Sequence, residues 1–143
     1  MNTIIMKNLS VKDVIISALM VWILTITGFI GLYLTSAITV ADTQAYRILS
    51  LIIIPAALIG AHFYYRKGLK TNGFILGTSM FVITLILDVL MTVPFLIMLY
   101  GGTYAGFFSN PEFWLIRVEY ISVVAAYWQL EKAIKVISSR KTI

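Results

Sequence analysis

The run GFILGTSMFVITLILDVLMTVPFLIMLY, residues 73–100, carries one charged side chain, Asp88, in an otherwise uncharged and largely apolar stretch. Coiled as an α-helix at ~1.5 Å per residue, this run is longer than the ~30 Å hydrocarbon core of a bilayer. A helix is the expected conformation because lipid offers no hydrogen bonds to an unpaired backbone. The run therefore predicts a membrane-spanning helix with a carboxylate near its middle.

The composition extends this prediction to the whole chain. The protein has 143 residues, of which 60% are hydrophobic and 12% charged, whereas soluble domains carry about a quarter charged residues. The mean hydropathy is +0.95, and one small core could not bury so much apolar surface. The absence of cysteine excludes disulfides, thiolate nucleophiles and cysteine-ligated metals. The sequence thus predicts an integral membrane protein.

Four apolar runs are each close to the ~20 residues that a membrane-spanning helix requires. The links between them are short, except for residues 101–112, and short links favour packing between helices that are neighbours in sequence. We predict an all-α, single-domain fold, an up-down-up-down four-helix bundle over residues 1–143. The predicted spans are residues 14–38, 45–65, 73–100 and 113–130.

The distribution of lysine and arginine predicts the orientation of this bundle. Nine of the eleven cationic side chains lie before the first span, in the second link or after the last span. Only Arg47 and Arg117 lie towards the opposite side. The positive-inside rule then places both termini in the cytoplasm. The net charge of +5 favours contact with anionic membrane lipids, and no soluble basic face predicts nucleic-acid binding.

Ionisable side chains of both signs converge on the predicted outer half of the bundle, where Asp88 lies near the midplane. Arg117 and Glu119 begin the fourth span, and Arg47 begins the second. An unpaired charge at the centre of a membrane helix costs at least ~2.5–3.5 kcal/mol. Because Arg117 and Glu119 are two residues apart, they face different sides of their helix. One pairing that the depths permit is Arg117 with Asp88 and Arg47 with Glu119.

This ionisable cluster has three interpretations, which the sequence leaves open. It is a structural polar network that holds the helices together, or it lines an outward-facing hydrated pocket for an ion, a proton or a polar solute. In the third interpretation, individual side chains only extend to the outer interface. The other candidate ligand-binding residues are Thr25 and Thr27 in the first span and Tyr120 in the fourth.

The functional hypotheses follow these interpretations. The first is a transport-like membrane protein that binds an ion or a polar solute, expected as a homo-oligomer because four short helices enclose little volume. The alternative is an accessory or lipid-binding subunit that contacts a membrane-protein partner and whose polar cluster is structural. No catalytic triad, phosphate-binding loop or metal-ligand spacing is present, so the sequence favours a non-enzymatic protein without a cofactor or metal.

Two features near Asp88 predict local structure. Pro94 lacks a backbone N–H and is expected to kink the third span on the outer side of Asp88. The loop YGGTYAGFFSNPEFW, residues 100–114, is rich in glycine and aromatic residues and carries one charge. We expect this loop to fold back over the bundle and cap the region around Asp88.

Several segments resemble a bacterial family of small four-helix membrane proteins of unknown function. They are PAALIGAHFYYRKGLKTNGFILGTSMF (55–81), LDVLMTVPF (87–95), YGG (100–102) and PEFWLIRVEY (111–120). The resemblance is strongest between Pro55 and Tyr127. It implies a multi-pass protein of the bacterial cytoplasmic (inner) membrane, and it implies no activity.

Overall fold

The computed structural model describes residues 9–34 and 42–141, and in this part of the chain all regular structure is helical. This confirms the predicted all-α class. The end of the predicted first span, residues 35–38, and most of the first link lie outside the described residues. The α-helices are α1 (Val11–Leu34), α2 (Asp42–Tyr65), α3 (Gly73–Leu87), α4 (Tyr104–Ser109) and α5 (Pro111–Lys141).

The helix that starts as α3 continues beyond it with a different winding. Residues Asp88–Ile97 form a π-helix, called the π segment below, and Met98–Tyr100 form a final 3₁₀ turn. The predicted third span, 73–100, is therefore helical throughout, but its part from Asp88 to Ile97 is wider than an α-helix. Gly101 ends it in the left-handed conformation, with φ of 84°, which glycine adopts without steric cost.

Three helices are long and apolar enough to cross a membrane, namely Val11–Gly31, Tyr46–Tyr65 and Gly73–Ile97. They correspond to the first three predicted spans and support a membrane-embedded protein. The predicted fourth span, 113–130, lies inside α5 and is not among them. Its apolar stretch is interrupted by Arg117 and Glu119.

The four long helices form a closed ring. In the described residues, the backbones of α1 and α5 each lie close to those of both α2 and α3, whereas the backbones of α1 and α5, and those of α2 and α3, do not approach each other closely. The Ser10 N–H donates to the Tyr64 hydroxyl (3.3 Å) at one end of α1, and Gly28 lies against Ile52 towards the other, so α1 and α2 run in opposite directions.

This order corrects the expectation that sequence neighbours pack together throughout. Helices α2 and α3 are joined by the short link of residues 66–72, yet they lie diagonally across the ring. The link turns beneath the bundle, where both terminal tyrosines of α2 hold it. The hydroxyl groups of Tyr64 and Thr71 are 2.6 Å apart, and the Tyr65 hydroxyl donates to the Thr71 carbonyl (2.8 Å). These buried contacts allow so short a link to cross the diagonal.

Glycines permit the close approach of α3 and α5. A Cβ atom on Gly73 would lie 2.8 Å from the Cα atom of Ala125, and one on Gly77 would lie 3.2 Å from the Cα atom of Ile121. Small residues allow membrane helices to pack backbone to backbone in this way. The long side chains Met80 and Tyr120 are fully buried in the same core.

Candidate functional site

The π segment begins at Asp88 and contains Pro94, where the sequence predicts a kink. In π winding, the carbonyl of Val89 would accept a hydrogen bond from the N–H group of residue 94. Proline has no such group. The Tyr104 hydroxyl, from α4, supplies the missing donor and bonds to the Val89 carbonyl at 2.9 Å. A hydrogen bond therefore connects helix α4 directly to the π segment.

Asp88 is 3% exposed and accepts hydrogen bonds from three helical segments. Its Oδ1 atom accepts from the Thr92 hydroxyl at 2.7 Å and from the Trp22 indole N–H at 3.3 Å. The same indole also donates to the Thr92 hydroxyl at 3.1 Å. The Oδ2 atom forms an ion pair with Arg117 Nη2. The predicted pairing of Asp88 with Arg117 is thus present, and both carboxylate oxygens are engaged.

The Arg117 guanidinium is only partly engaged. Its side chain is 13% exposed, and its Nη2 atom contacts Asp88. The guanidinium lies over the Phe113 ring, with 4.7 Å from Cζ to the ring centroid, which is a cation–π distance. The buried Nε atom has no hydrogen-bond partner among the described residues. One N–H donor of a buried cation therefore remains available.

A cavity of about 190 Å³ adjoins this ion pair. Most of its wall is apolar, and its polar residues are those of the Asp88 network, two buried threonines, Thr25 and Thr84, and Tyr46. The Thr25 hydroxyl donates to the Val21 carbonyl (2.7 Å). The Thr84 hydroxyl donates to the Phe81 carbonyl (2.8 Å). Both hydroxyls therefore present oxygen lone pairs rather than protons to their other neighbours.

The loop of residues 100–114 reaches this cavity, in line with the expected cap. Phe107 of α4 and Phe113 of α5 both line the cavity, and their rings pack against each other with centroids 4.8 Å apart. Helix α4 contacts the π segment and α5. Aromatic side chains from the loop region thus form part of the cavity wall next to the cation.

The other predicted site residues do not join Asp88 in one cluster. Glu119 accepts a hydrogen bond from the Ser50 hydroxyl at 2.5 Å, on the interface between α2 and α5. Arg47 is exposed, and the ion pairs of the described residues do not include one between Arg47 and Glu119, so that part of the suggested pairing is wrong. Thr27 is also exposed and does not line the cavity. Tyr120 is fully buried in the core, away from the cavity wall.

Two residues of the site, Trp22 and Thr92, are missing from the sequence-based prediction. Each had a signal. Thr92 follows Asp88 by four residues, so it occupies the same face of a helix. Trp22 lies in the middle of an apolar run, whereas membrane tryptophans are enriched at the interfaces. A mid-span indole N–H needs an acceptor, and in this bundle it finds Asp88.

No protein family, curated protein or solved structure matches this chain. In the described residues, no group of three histidine or acidic side chains is arranged to hold a metal ion. Functional inference therefore depends on the geometry of the cavity and of the Asp88–Arg117 pair. That geometry provides an apolar volume beside a fixed, internally neutralised pair of charges.

Proposed function

We propose that this protein is a four-span membrane protein that binds a small molecule in the outer half of its bundle. Both termini are in the cytoplasm, and the membrane is the bacterial cytoplasmic membrane, with its lipids as the surrounding partners. The observation that carries the proposal is the cavity of about 190 Å³ against the buried Asp88–Arg117 pair.

Packing supports a membrane-spanning position for α5, although its composition is less apolar than that of the other three helices. Ser50 and Glu119 are in contact in the first half of α2, and His62 and Tyr127 are in contact near its C-terminal end, with 2.7 Å between Nδ1 and the hydroxyl. Helix α5 thus accompanies α2 over about half of its length, from residue 50 to residue 62. At 31 residues, α5 has a length of roughly 46 Å and exceeds the hydrocarbon core.

The size of the cavity supports a small occupant. An engineered apolar cavity of about 150 Å³ binds benzene, whereas sites for drug-sized ligands measure about 300–1,000 Å³. A volume of about 190 Å³ therefore suits one small ring or the end of a chain. Such a molecule would reach the site from the bilayer or from the outer surface.

The hydrogen bonds of Asp88 favour binding over proton or cation exchange. An exchanging carboxylate needs a free oxygen, but here Trp22, Thr92 and Arg117 occupy both oxygens. A carboxylate held this way is a fixed counter-charge. Transport-like activity and an accessory, lipid-binding role are both compatible with ligand binding at this site.

Fluorescence of Trp22 tests the binding proposal, because its indole lines the cavity. In a Trp114→Phe/Trp128→Phe background, Trp22 is the only tryptophan. Bromobenzene, a heavy-atom quencher, is titrated into this protein in lipid nanodiscs. We expect saturable quenching, whereas probe dissolved in lipid quenches in proportion to its concentration.

A pair of matched variants completes this test. Leu49→Phe adds volume at the cavity wall and should abolish the saturable component, whereas Leu51→Phe adds the same volume at a position that is 69% exposed and should leave it intact. Purely linear quenching of the parent protein, or equal effects of the two variants, would contradict the proposal.

Cysteine labelling tests the topology. Lys70→Cys and Arg140→Cys should be protected from an impermeant thiol reagent in intact cells, and Ala105→Cys should react; all three positions are exposed. Reaction at Lys70→Cys from outside would overturn the four-span arrangement.

A further inference from the structure

The geometry points to a ligand class for this cavity: an uncharged, apolar ring that carries a carbonyl or hydroxyl group. This inference rests on the proposed function and adds the chemistry of the ligand. It follows from three properties of the site, namely its apolar wall, its balanced charge and the Nε–H group of Arg117, which has no acceptor among the described residues.

The apolar part of the ligand is set by the wall. The side chains around the open volume are largely aliphatic and aromatic, and they come from several helical segments. They include Ile26, Phe29, Leu49, Leu96 and Phe107. Such a surface offers dispersion contacts and no hydrogen bonds, so a polar solute would lose its hydration without compensation. A compact ring fits the volume and keeps these contacts.

The charge balance excludes an ionic ligand. Asp88 and Arg117 neutralise each other, and the Asp88 oxygens already accept hydrogen bonds from Trp22 and Thr92 as well. A bound anion or cation would add an unbalanced charge inside the membrane, which is unfavourable unless a counter-charge accompanies it. Among the described residues, no other acidic or basic side chain lines the cavity. The site therefore favours a neutral molecule.

The polar group of the ligand is set by the available donor. The Nε–H group of Arg117 is buried without a partner among the described residues, and a buried donor without an acceptor is unfavourable. A carbonyl or hydroxyl oxygen supplies an acceptor to this group without adding charge. The hydroxyl groups of Thr25 and Thr84 donate to backbone carbonyls, so they compete for no acceptor on the ligand.

A probe series on one ring tests the class in the full-length protein with Trp22 as its only tryptophan. The probes are bromobenzene, para-bromophenol, para-bromoacetophenone, para-bromobenzoate and para-bromobenzylammonium, each corrected for its partition into protein-free nanodiscs. We expect the phenol and the ketone to bind about tenfold more tightly than bromobenzene, because each makes a hydrogen bond to a cation. We expect both ions to bind at least about tenfold more weakly than bromobenzene.

The variant Arg117→Lys tests the donor. A lysine ammonium keeps the charge that pairs with Asp88, but its three N–H groups lie at the end of the side chain, next to Asp88, and none replaces the donor at the Nε position. The advantage of the ketone over bromobenzene should disappear in this variant, whereas the affinity for bromobenzene should change less than about twofold, since that probe makes no hydrogen bond. If the variant does not fold, the comparison of the five probes on the parent protein still tests the ligand class.

The outcomes separate the two proposals. If no probe shows saturable quenching, the proposed function itself fails. If bromobenzene binds as tightly as the phenol and the ketone, the cavity binds ligands but the inferred class is wrong. Tighter binding of the benzoate or of the benzylammonium would also overturn the class, because it would show that the site accepts a net charge.

Discussion

Replacing Asp88 with asparagine should destabilise the bundle more than any other single change of one charge to a neutral side chain in the described residues. The new amide side chain keeps the size of the carboxylate and can still accept hydrogen bonds from Thr92 and Trp22 through its carbonyl oxygen. Its nitrogen would then face Arg117, placing a donor against a donor. The main effect is therefore a cation left without its counter-charge at a site where Asp88 is 3% exposed.

Removing one partner of a buried ion pair costs about 3–5 kcal/mol, because the remaining charge is uncompensated. We expect a loss of this size for Asp88→Asn in the free energy of unfolding. It is measured by titration with sodium dodecyl sulfate in mixed micelles, followed by far-ultraviolet circular dichroism. The double variant Asp88→Asn/Arg117→Met removes the stranded cation, and it should recover most of the loss.

The ion pair of Asp13 with Lys67 provides the control, since its side chains are 13% and 41% exposed, against 4% and 13% for Asp88 and Arg117. Asp13→Asn should cost much less than Asp88→Asn, because solvent screens a pair near the surface. An Asp88→Asn variant as stable as Asp13→Asn would refute the reasoning. The same holds for a double variant that is no more stable than Asp88→Asn alone.

Three further predictions concern the contacts around this site. Tyr104→Phe removes the donor to the Val89 carbonyl and should cost about 1 kcal/mol in the free energy of unfolding. It should also speed thiol labelling at Ala105→Cys, and unchanged labelling would argue against the connection between α4 and the π segment. Gly73→Ala should lower the melting temperature clearly, because its Cβ atom would lie 2.7 Å from the Trp128 Cβ atom. Gly31→Ala places its Cβ atom in open space and should leave the melting temperature unchanged, and equal effects of the two variants would contradict the packing argument. Trp22→Phe removes an N–H donor to a carboxylate and should cost about 1.5 kcal/mol, and the cost should be smaller in the Asp88→Asn background, where the acceptor is a neutral amide oxygen; an unchanged cost would show that the charge of Asp88 does not strengthen this bond.

The sequence predicts the helical class, and it permits the central ion pair as one of the possible pairings, because both depend on strong physical constraints. Lipid forces the backbone into helices, and a buried carboxylate needs a partner. Counting residues along the helices places Asp88 and Arg117 close enough in depth for the long arginine side chain to connect them. The same counting suggests Arg47 for Glu119 and is wrong there, since Ser50, about one turn further along α2, bonds to Glu119 instead.

The order of the helices around the ring could not be predicted from the sequence. In water, an apolar stripe indicates which face of a helix is buried. In a membrane, the faces that contact lipid are also apolar: Leu99, Leu115 and Leu51 are all more than two-thirds exposed. Hydrophobic periodicity therefore does not distinguish a neighbouring helix from lipid. The diagonal position of α2 and α3 depends instead on contacts of individual side chains, such as those of Tyr64 and Tyr65 with Thr71.

The π winding was also beyond local sequence reasoning. Pro94 indicates that a backbone hydrogen bond is missing, and both a kink and a wider helix satisfy that condition. The choice depends on a donor from a distant element, the Tyr104 hydroxyl, which bonds to Val89. The cavity follows from the same arrangement, because its wall combines side chains from all the long helices and from α4.

The diagonal order has a consequence for membrane insertion. It divides the bundle into two hairpins of consecutive helices, α1 with α2 and α3 with α5. Asp88 and Arg117 both belong to the second hairpin, so their charges can neutralise each other before the hairpins meet. In an insertion that proceeds hairpin by hairpin, the second hairpin would enter the membrane with a closed ion pair instead of two separate charges, each of which would oppose insertion. Trp22, from the first hairpin, completes the site only when the two halves dock, which makes its indole a reporter of the last step of assembly.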